Sequence, residues 1–391
     1  MSEIAVQGRM PFTIRDRVLV NLVHQQNAES PIHLEEVRDY LVRLTQAQNP
    51  QDHDRSMDQL HVAFDEGCMI GRFLQHDGVS KEKMRVSDTG ASQLARDVLP
   101  SRFFAGLRQL AQLNPHGGKL ATLVWAKFSQ TQEKVRMVRT VRMKLDGEAV
   151  RVIRSCHSQG YAPYSNLEFV QALLDHSEHF AEMPVLDWRV TDSAMRLRFS
   201  AIDEPLAVLR HWDQGALLDE PVPMVECWNS EVGLRRVGLR GGMWKMVCTN
   251  GMGHWDDRRE WNWIHRGDSE RIRQGVRTAY QDVLTSANGV VDAYKDALDV
   301  AIDDAFAWLE QEVRASGKGS DRIITAAQKG LTHPTTTPGG SLASVVDALT
   351  LVAQEENIFG QYEVERMAAS VLRRGLSQSL KTEDRSITVG A

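Results

Sequence analysis

The feature that most constrains this chain is a set of segments in which cations occupy one parity and apolar residues the other. From Lys134 to Leu145, the residues Val135, Met137, Val141, Met143 and Leu145 share one parity. Arg136, Arg142 and Lys144 share the other, together with Val138. Successive side chains of a strand point to opposite faces, so the pattern predicts a half-buried strand with one basic face. Asp146-Gly147 predicts a hairpin turn, after which Ala149 to Ser155 returns as a strand carrying Arg151 and Arg154. Asp187 to Ser200 repeats the theme, with Met195, Leu197 and Phe199 set against Arg196 and Arg198. A chain with several such segments is committed to an antiparallel sheet.

The basic character is densest between Gly233 and Trp255. Arg235, Arg236, Arg240 and Lys245 alternate there with Gly238, Gly241 and Gly242. Glycines let a phosphate backbone approach main-chain amides, and the arginine fork matches phosphate oxygens. The bland reading of the same residues is a twisted strand with a solvated charged face. Trp244, Trp255, Trp261 and Trp263 cluster nearby. Trp261 and Trp263 share a parity and suit a core. Trp255 lies among His254, Asp256, Asp257, Arg258 and Arg259, and so is the better candidate for stacking a base.

Other motifs carry less. Val247-Cys-Thr-Asn-Gly-Met reads as a turn, because Asn-Gly suits positive φ. Cys248 and His254 have no recognised nucleophile signature around them. His157 with His176 and His179 lacks a second pair at metal-site spacing. Asp256, Asp257 and Glu260 have the chemistry to hold Mg²⁺ for a nuclease, but an acidic loop balancing Arg258 and Arg259 is the better explanation of them. Neither a phosphate-binding P-loop nor a dinucleotide fingerprint occurs.

Bulk properties limit the alternatives. The chain has 391 residues and a net charge of -6, which by itself argues against a nucleic-acid binder. The charge is uneven, however: Lys134–Arg154 and Gly233–Arg277 are both locally basic, and local potential steers a polyanion. No apolar run approaches the length of a membrane span, and the first residues do not read as a signal peptide. The four cysteines are widely spaced, which points to a reducing cytoplasm.

Helical readings complete the outline. Residues 1 to 80 read as a small, mostly helical module or extension, with a helix near Leu34–Leu44 and a loop from Gln46 to Arg55. Ser87 caps a helix ended by Pro100, and Phe103–Leu113 forms the next. Asn114-Pro-His-Gly-Gly reads as a turn and Leu120–Phe128 as a strand. Ser165 and Glu168 have capping-box spacing. An apolar stripe from Ile272 to Leu309 predicts one long helix over Ser269–Ala315, with a soft spot at Asn288-Gly289. Its second half carries Asp292, Asp296, Asp299, Asp303 and Asp304, a solvated face or a contact for a basic face on a neighbouring subunit. Ser341–Glu355 and Glu363–Leu376 read as helices, followed by a loose tail.

Four blocks in order resemble the phage- and plasmid-borne "domain of unknown function 932" family. Ser87–Leu107 is similar to its opening helices. Arg151–Leu174 is similar to its tyrosine-proline block, with Ser165 before Asn166 where aspartate is usual. Asn229-Ser-Glu-Val-Gly, Val247-Cys-Thr-Asn-Gly-Met and Ile264-His-Arg-Gly form the third block, and Ser341–Thr350 the fourth. The resemblance spans about residues 85 to 376. It implies a bacteriophage, prophage or plasmid protein in a bacterial cytoplasm, from a family some of whose members sit near recombination and single-strand-binding functions. It carries no catalytic residue onto this chain.

The expectation is therefore an α+β protein. A central antiparallel sheet over about 120 to 265 bears basic strands, with helices on one face, a long helix from Ser269 and a helical C-terminal region. The core domain is placed at 85–268 and the C-terminal region at 269–391. The expected function is nucleic-acid binding, single-stranded DNA favoured, as a strand-annealing or recombination protein. Arg136, Arg142, Lys144, Arg151, Arg235, Arg236, Arg240 and Lys245 are expected on phosphate and Trp255 on a base. No catalytic residue, metal or cofactor is assigned. A metal-dependent nuclease and a non-enzymatic oligomeric assembly protein are the alternatives.

Overall fold

A computed structural model describes residues 18–23 and 33–387, apart from 66–67, 76–77, 80–81, 101, 131, 133, 146, 176–182, 202–220, 248–249, 318–320, 334–335, 338–339, 355, 357 and 382–385. The side chains of 18–23, 75, 78–79, 245–259, 354, 358–359 and 386 also lie outside the description.

Two sheets organise the α+β fold. The strands are β1 (Val18–Val23), β2 (Gln51–Ser56), β3 (Leu60–Asp65), β4 (Cys68–Gln75), β5 (Gly78–Val79), β6 (Met84–Val86), β7 (Val135–Leu145), β8 (Glu148–Ser158), β9 (Val185–Thr191), β10 (Met195–Ser200), β11 (Val222–Asn229), β12 (Val237–Val247) and β13 (Asn250–Trp263). Sheet A has the order β2-β7-β8-β6-β4-β3, with β5 beside β4. Sheet B has the order β1-β9-β10-β11-β12-β13. Every pairing in these two sheets is antiparallel except β6 with β8. The β7–β8 hairpin forms as its alternation predicts, and Gly147 takes φ +87° at its turn.

The N-terminal part departs from expectation. Among its described residues only α1 (Leu34–Gln48) and a single 3-10 turn at Met57–Gln59 are helical, while β2, β3 and β4 join sheet A. The polar run Gln51–Ser56, read as a loop, is an edge strand on β7. An edge strand needs no apolar alternation, because its outer side meets water. Residues 51–86 are thus woven into the same sheet as 135–158 and do not form a separate helical module.

Helices α2 (Asp88–Val98), α3 (Phe103–Leu113) and α4 (Pro115–Ser129) pack beside sheet A. α4 replaces the predicted strand at Leu120–Phe128. Asn114 caps it by accepting from the Gly117 amide at 2.8 Å, and Pro115 opens its first turn. The supposed turn is therefore a helix start. Gly118, Ala121 and Trp125 supply a buried stripe at helical spacing.

Sheet B is covered on both faces, not one. On one face Leu197, Phe199, Val225, Cys227, Val237 and Leu239 share a core with α1, α5 (Asn166–Leu174) and α6 (Ser269–Leu298). Trp261 and Trp263 pack against that core, as their shared parity predicts. The capping box of Ser165 and Glu168 starts α5. α6 runs unbroken through Asn288-Gly289; the break falls instead between Asp299 and Asp304. Ala301–Ile302 (β14) pairs there in parallel with Ser386–Ile387 (β15), and Asp304 caps α7 (Ala305–Ala315). Aspartates disfavour a helix C-terminus and favour an N-cap, so the acidic cluster ends one helix and starts the next. α8 (Asp321–Leu331), α9 (Leu342–Gln354) and α10 (Ile358–Ser379) build the C-terminal core with the end of α6. α10 closes the second face of sheet B. Among the described residues no helix is long and apolar enough to cross a membrane.

Candidate nucleic-acid interface

Covering both faces of sheet B decides the fate of its arginines. Arg196, Arg198 and Arg240 project from the face opposite the apolar core, where α10 lies over them, and all three are fully buried. Buried charge requires a partner. Arg196 pairs with Asp187. Arg198 donates through Nε to Glu226 at 2.8 Å and through Nη2 to Glu365 of α10. Arg240 donates to Glu226 at 3.0 Å and to Glu365 at 3.2 Å. Burial alone would raise the Glu226 carboxyl, but Arg240 and Arg198 hold it down at about 2. Three guanidinium groups thus face three carboxylates in one internal layer. Among the described residues, Nε and Nη1 of Arg196 find no hydrogen-bond partner.

Aromatic rings finish the layer. Trp228 lies over Gly238, where an added Cβ would meet its ring at 2.3 Å. The Arg235 guanidinium sits 3.7 Å from the Tyr362 ring centroid and 4.5 Å from that of Trp228. Tyr362 donates to Glu260 at 2.6 Å, which engages one member of the proposed Mg²⁺ trio. Asp256 and Asp257 lie outside the described side chains. Among the described residues no group of three His, Cys, Asp or Glu residues is placed to hold a metal.

A second polar centre joins the two sheets. Arg154 of β8 donates to the Asp192 carbonyl at 2.6 Å and to Glu231 at 2.7 Å. Glu231 also accepts from the Asn166 amide at 2.7 Å. Gln93 of α2 accepts from the Cys156 amide at 2.7 Å and donates to the Val232 carbonyl at 2.8 Å. The Asn229 amide donates to Tyr164 and Asn166. His157, Tyr161 and His265 stack in series, with centroids 3.7 and 5.0 Å apart. Gly233 at φ +70° passes beside them, where a Cβ would lie 3.0 Å from His157. Burial, and then Arg139, push His157 down to about 3. Burial raises the Cys156 thiol to about 12, so it is an inert core group. Through these contacts Gln93, Arg154, Glu231 and Asn229 link the sheet A side to the loops of sheet B.

The nine expected contact residues consequently separate. Arg240 is internal and committed to carboxylates, so it is not a phosphate ligand. Arg151 is buried, donating to the Asn49 carbonyl at 3.2 Å and to Thr140 at 3.4 Å. Arg136 makes a two-pronged pair with Asp97, at 2.6 and 2.7 Å. Arg235 is held between two rings. Arg142, Lys144 and Arg236 remain exposed. The side chains of Lys245 and Trp255 lie outside the described part, as do those of Cys248 and His254, while His176 and His179 fall in a segment outside it altogether. Comparisons with family models, with curated proteins and with solved structures give no match.

The residues overlooked in the sequence are the acids. Asp187, Glu226 and Glu365 stand opposite the arginines, and Asp97 and Asp52 lock Arg136 and Arg139. A signal was present. Asp187 and Glu226 sit inside apolar strand runs, where a lone carboxylate is tolerated only beside a buried cation.

Proposed function

We propose that the chain is a non-enzymatic nucleic-acid-binding protein of phage or plasmid type, with single-stranded DNA as the favoured ligand, binding through its exposed cations. The carrying observation is the tip of the β7–β8 hairpin. Arg142 stands directly across from Arg151 in the strand register, with Lys144 next on the same face. Like charges placed opposite each other weaken a sheet. Arg151 is held inside by hydrogen bonds to the Asn49 carbonyl and the Thr140 hydroxyl and pairs with Glu82 at 3.7 Å. Arg142 is exposed and forms no ion pair among the described residues. A polyanion that neutralises Arg142 and Lys144 turns this unfavourable arrangement into a contact. Arg236, just before β12, is a further exposed cation.

The test is oligonucleotide binding across a salt series. Replacing Arg142 and Lys144 by glutamate together should lower affinity at least roughly tenfold and flatten the log–log salt slope by about 0.7 per lost contact on a single strand. Unchanged affinity in that variant, or no binding by the wild type at low salt, removes the reading.

A further inference from the structure

A different surface carries an inference about assembly. The α3–α4 hairpin, from Arg102 to Ser129, contains no aspartate or glutamate in a chain whose net charge is -6. It presents exposed Lys119 and Lys127 beside Leu120 and Leu123, the latter 68% exposed. These positions fall on one helical face. Phe103, Leu113 and Phe128 are further exposed apolar side chains of the hairpin, the two phenylalanine rings lying 5.8 Å apart. Lys119 and Lys127 form no ion pair among the described residues. A monomer rarely displays so many large apolar side chains together unless something covers them.

The matching surface lies on the same chain. Asp292, Asp296 and Asp299 share a face at the end of α6, and Asp303 follows. All are exposed and, among the described residues, form no ion pair. Lys295 is the one cation among them. Leu298 and Phe306, 43% and 45% exposed, supply apolar area beside the acids. Lys119 to Lys127 spans about 12 Å along α4 and Asp292 to Asp299 about 10 Å along α6, at 1.5 Å per residue. Two helices laid side by side bring these charges into register.

We propose that a second copy of this chain docks its Asp292–Phe306 segment on the α3–α4 hairpin. The two patches are different parts of one surface, so the contact is head-to-tail and repeats from copy to copy. It does not rest on nucleic-acid binding.

The test is mass in solution with charge-reversed variants of the full chain. Wild type should run well above the mass of one chain at micromolar concentration. Lys119→Glu with Lys127→Glu should yield single chains, and so should Asp296→Lys with Asp299→Lys. Both pairs are exposed, and unchanged circular dichroism confirms folding. An equimolar mixture of the two variants should reassociate, since each retains the face that the other needs. A monomeric wild type, persistent assembly in either variant, or failure of the mixture to reassociate overturns the proposal. A monomer that instead binds anionic phospholipid vesicles through Lys119 and Lys127 also overturns it and assigns the hairpin to lipid.

Discussion

Arg240 of β12 and Glu226 of β11 face one another across the strand register and meet at 3.0 Å with both side chains fully buried. Removing one partner of such a pair strands the other charge inside, at a cost of about 3–5 kcal/mol. Glu226→Gln and Arg240→Met should each lower unfolding free energy by that order in urea titration. Glu226→Leu combined with Arg240→Met should cost less than the sum of the single changes. Simple additivity would mean that the two side chains are not coupled. The pair also sets an acid limit. Because the folded Glu226 value is depressed from 4.5 to about 2, its contribution is complete above about pH 4.5 and is lost as pH falls toward 2.

Glycines on sheet B and in α6 should respond in opposite directions. A Cβ at Gly241 would lie 2.3 Å from the Val283 carbonyl oxygen and 2.5 Å from the Ala287 amide nitrogen, both backbone atoms of a packed helix. Gly241→Ala should destabilise by roughly 1–3 kcal/mol through overpacking. Gly289 is an exposed helical position with nothing within 4 Å of the added carbon. Gly289→Ala should stabilise by roughly 0.5–1 kcal/mol. Thermal melts of the two variants shifting the same way would contradict this geometry.

His157 predicts a second pH dependence. Its folded value, about 3, lies below the unfolded 6.5, so the unfolded chain binds the extra proton between these limits. Stability is then full above about pH 6.5 and declines as pH falls, by up to about 1.4 kcal/mol per unit. His157→Phe keeps a ring to stack on Tyr161 but does not titrate. Denaturation midpoints from pH 7 to 4 should fall less steeply in this variant, and an identical slope would discount the histidine.

Gln93 tests the inter-sheet fastening. Its amide accepts from the Cys156 amide and donates to the Val232 carbonyl. Gln93→Glu keeps the acceptor, loses the donor and adds a buried charge, whereas Gln93→Leu loses both bonds without adding charge. An unmade buried hydrogen bond costs roughly 1–3 kcal/mol, more when a charge is involved. Gln93→Glu should therefore be the less stable variant at neutral pH, with amide exchange accelerated around Val232. Equal stability of the two variants would show that the buried charge costs no more than the lost acceptor.

How far the sequence could be read depended on whether a signal was local. The β7–β8 hairpin was legible from alternation and Asp146-Gly147, and α5 from its capping box. α4 is not legible, because exposed Leu120, Leu123 and Phe128 blur its apolar periodicity and Asn114-Pro115 suits a turn as well as the helix cap that it forms. The edge strand Gln51–Ser56 had no apolar signal at all. In the candidate interface, the basic parity of the strands is legible, but which of the cations stay exposed is not. Arg198 and Arg240 find Glu365 far along the chain, on a helix whose position over sheet B no local pattern reveals.

The sequence by itself determined which residues share a face, because strand and helix periodicity are properties of neighbouring backbone units. It thereby placed Arg196 and Arg198 together, and Asp292, Asp296 and Asp299 together. Only the tertiary structure decided which faces meet water. An arginine face is a phosphate surface if left open and an ion-pair layer if a helix closes it, and that difference rests on long-range packing and the desolvation of charge. The same packing left Arg142 and Lys144 outside, where a polyanion can reach them, and put Arg240 inside with Glu226.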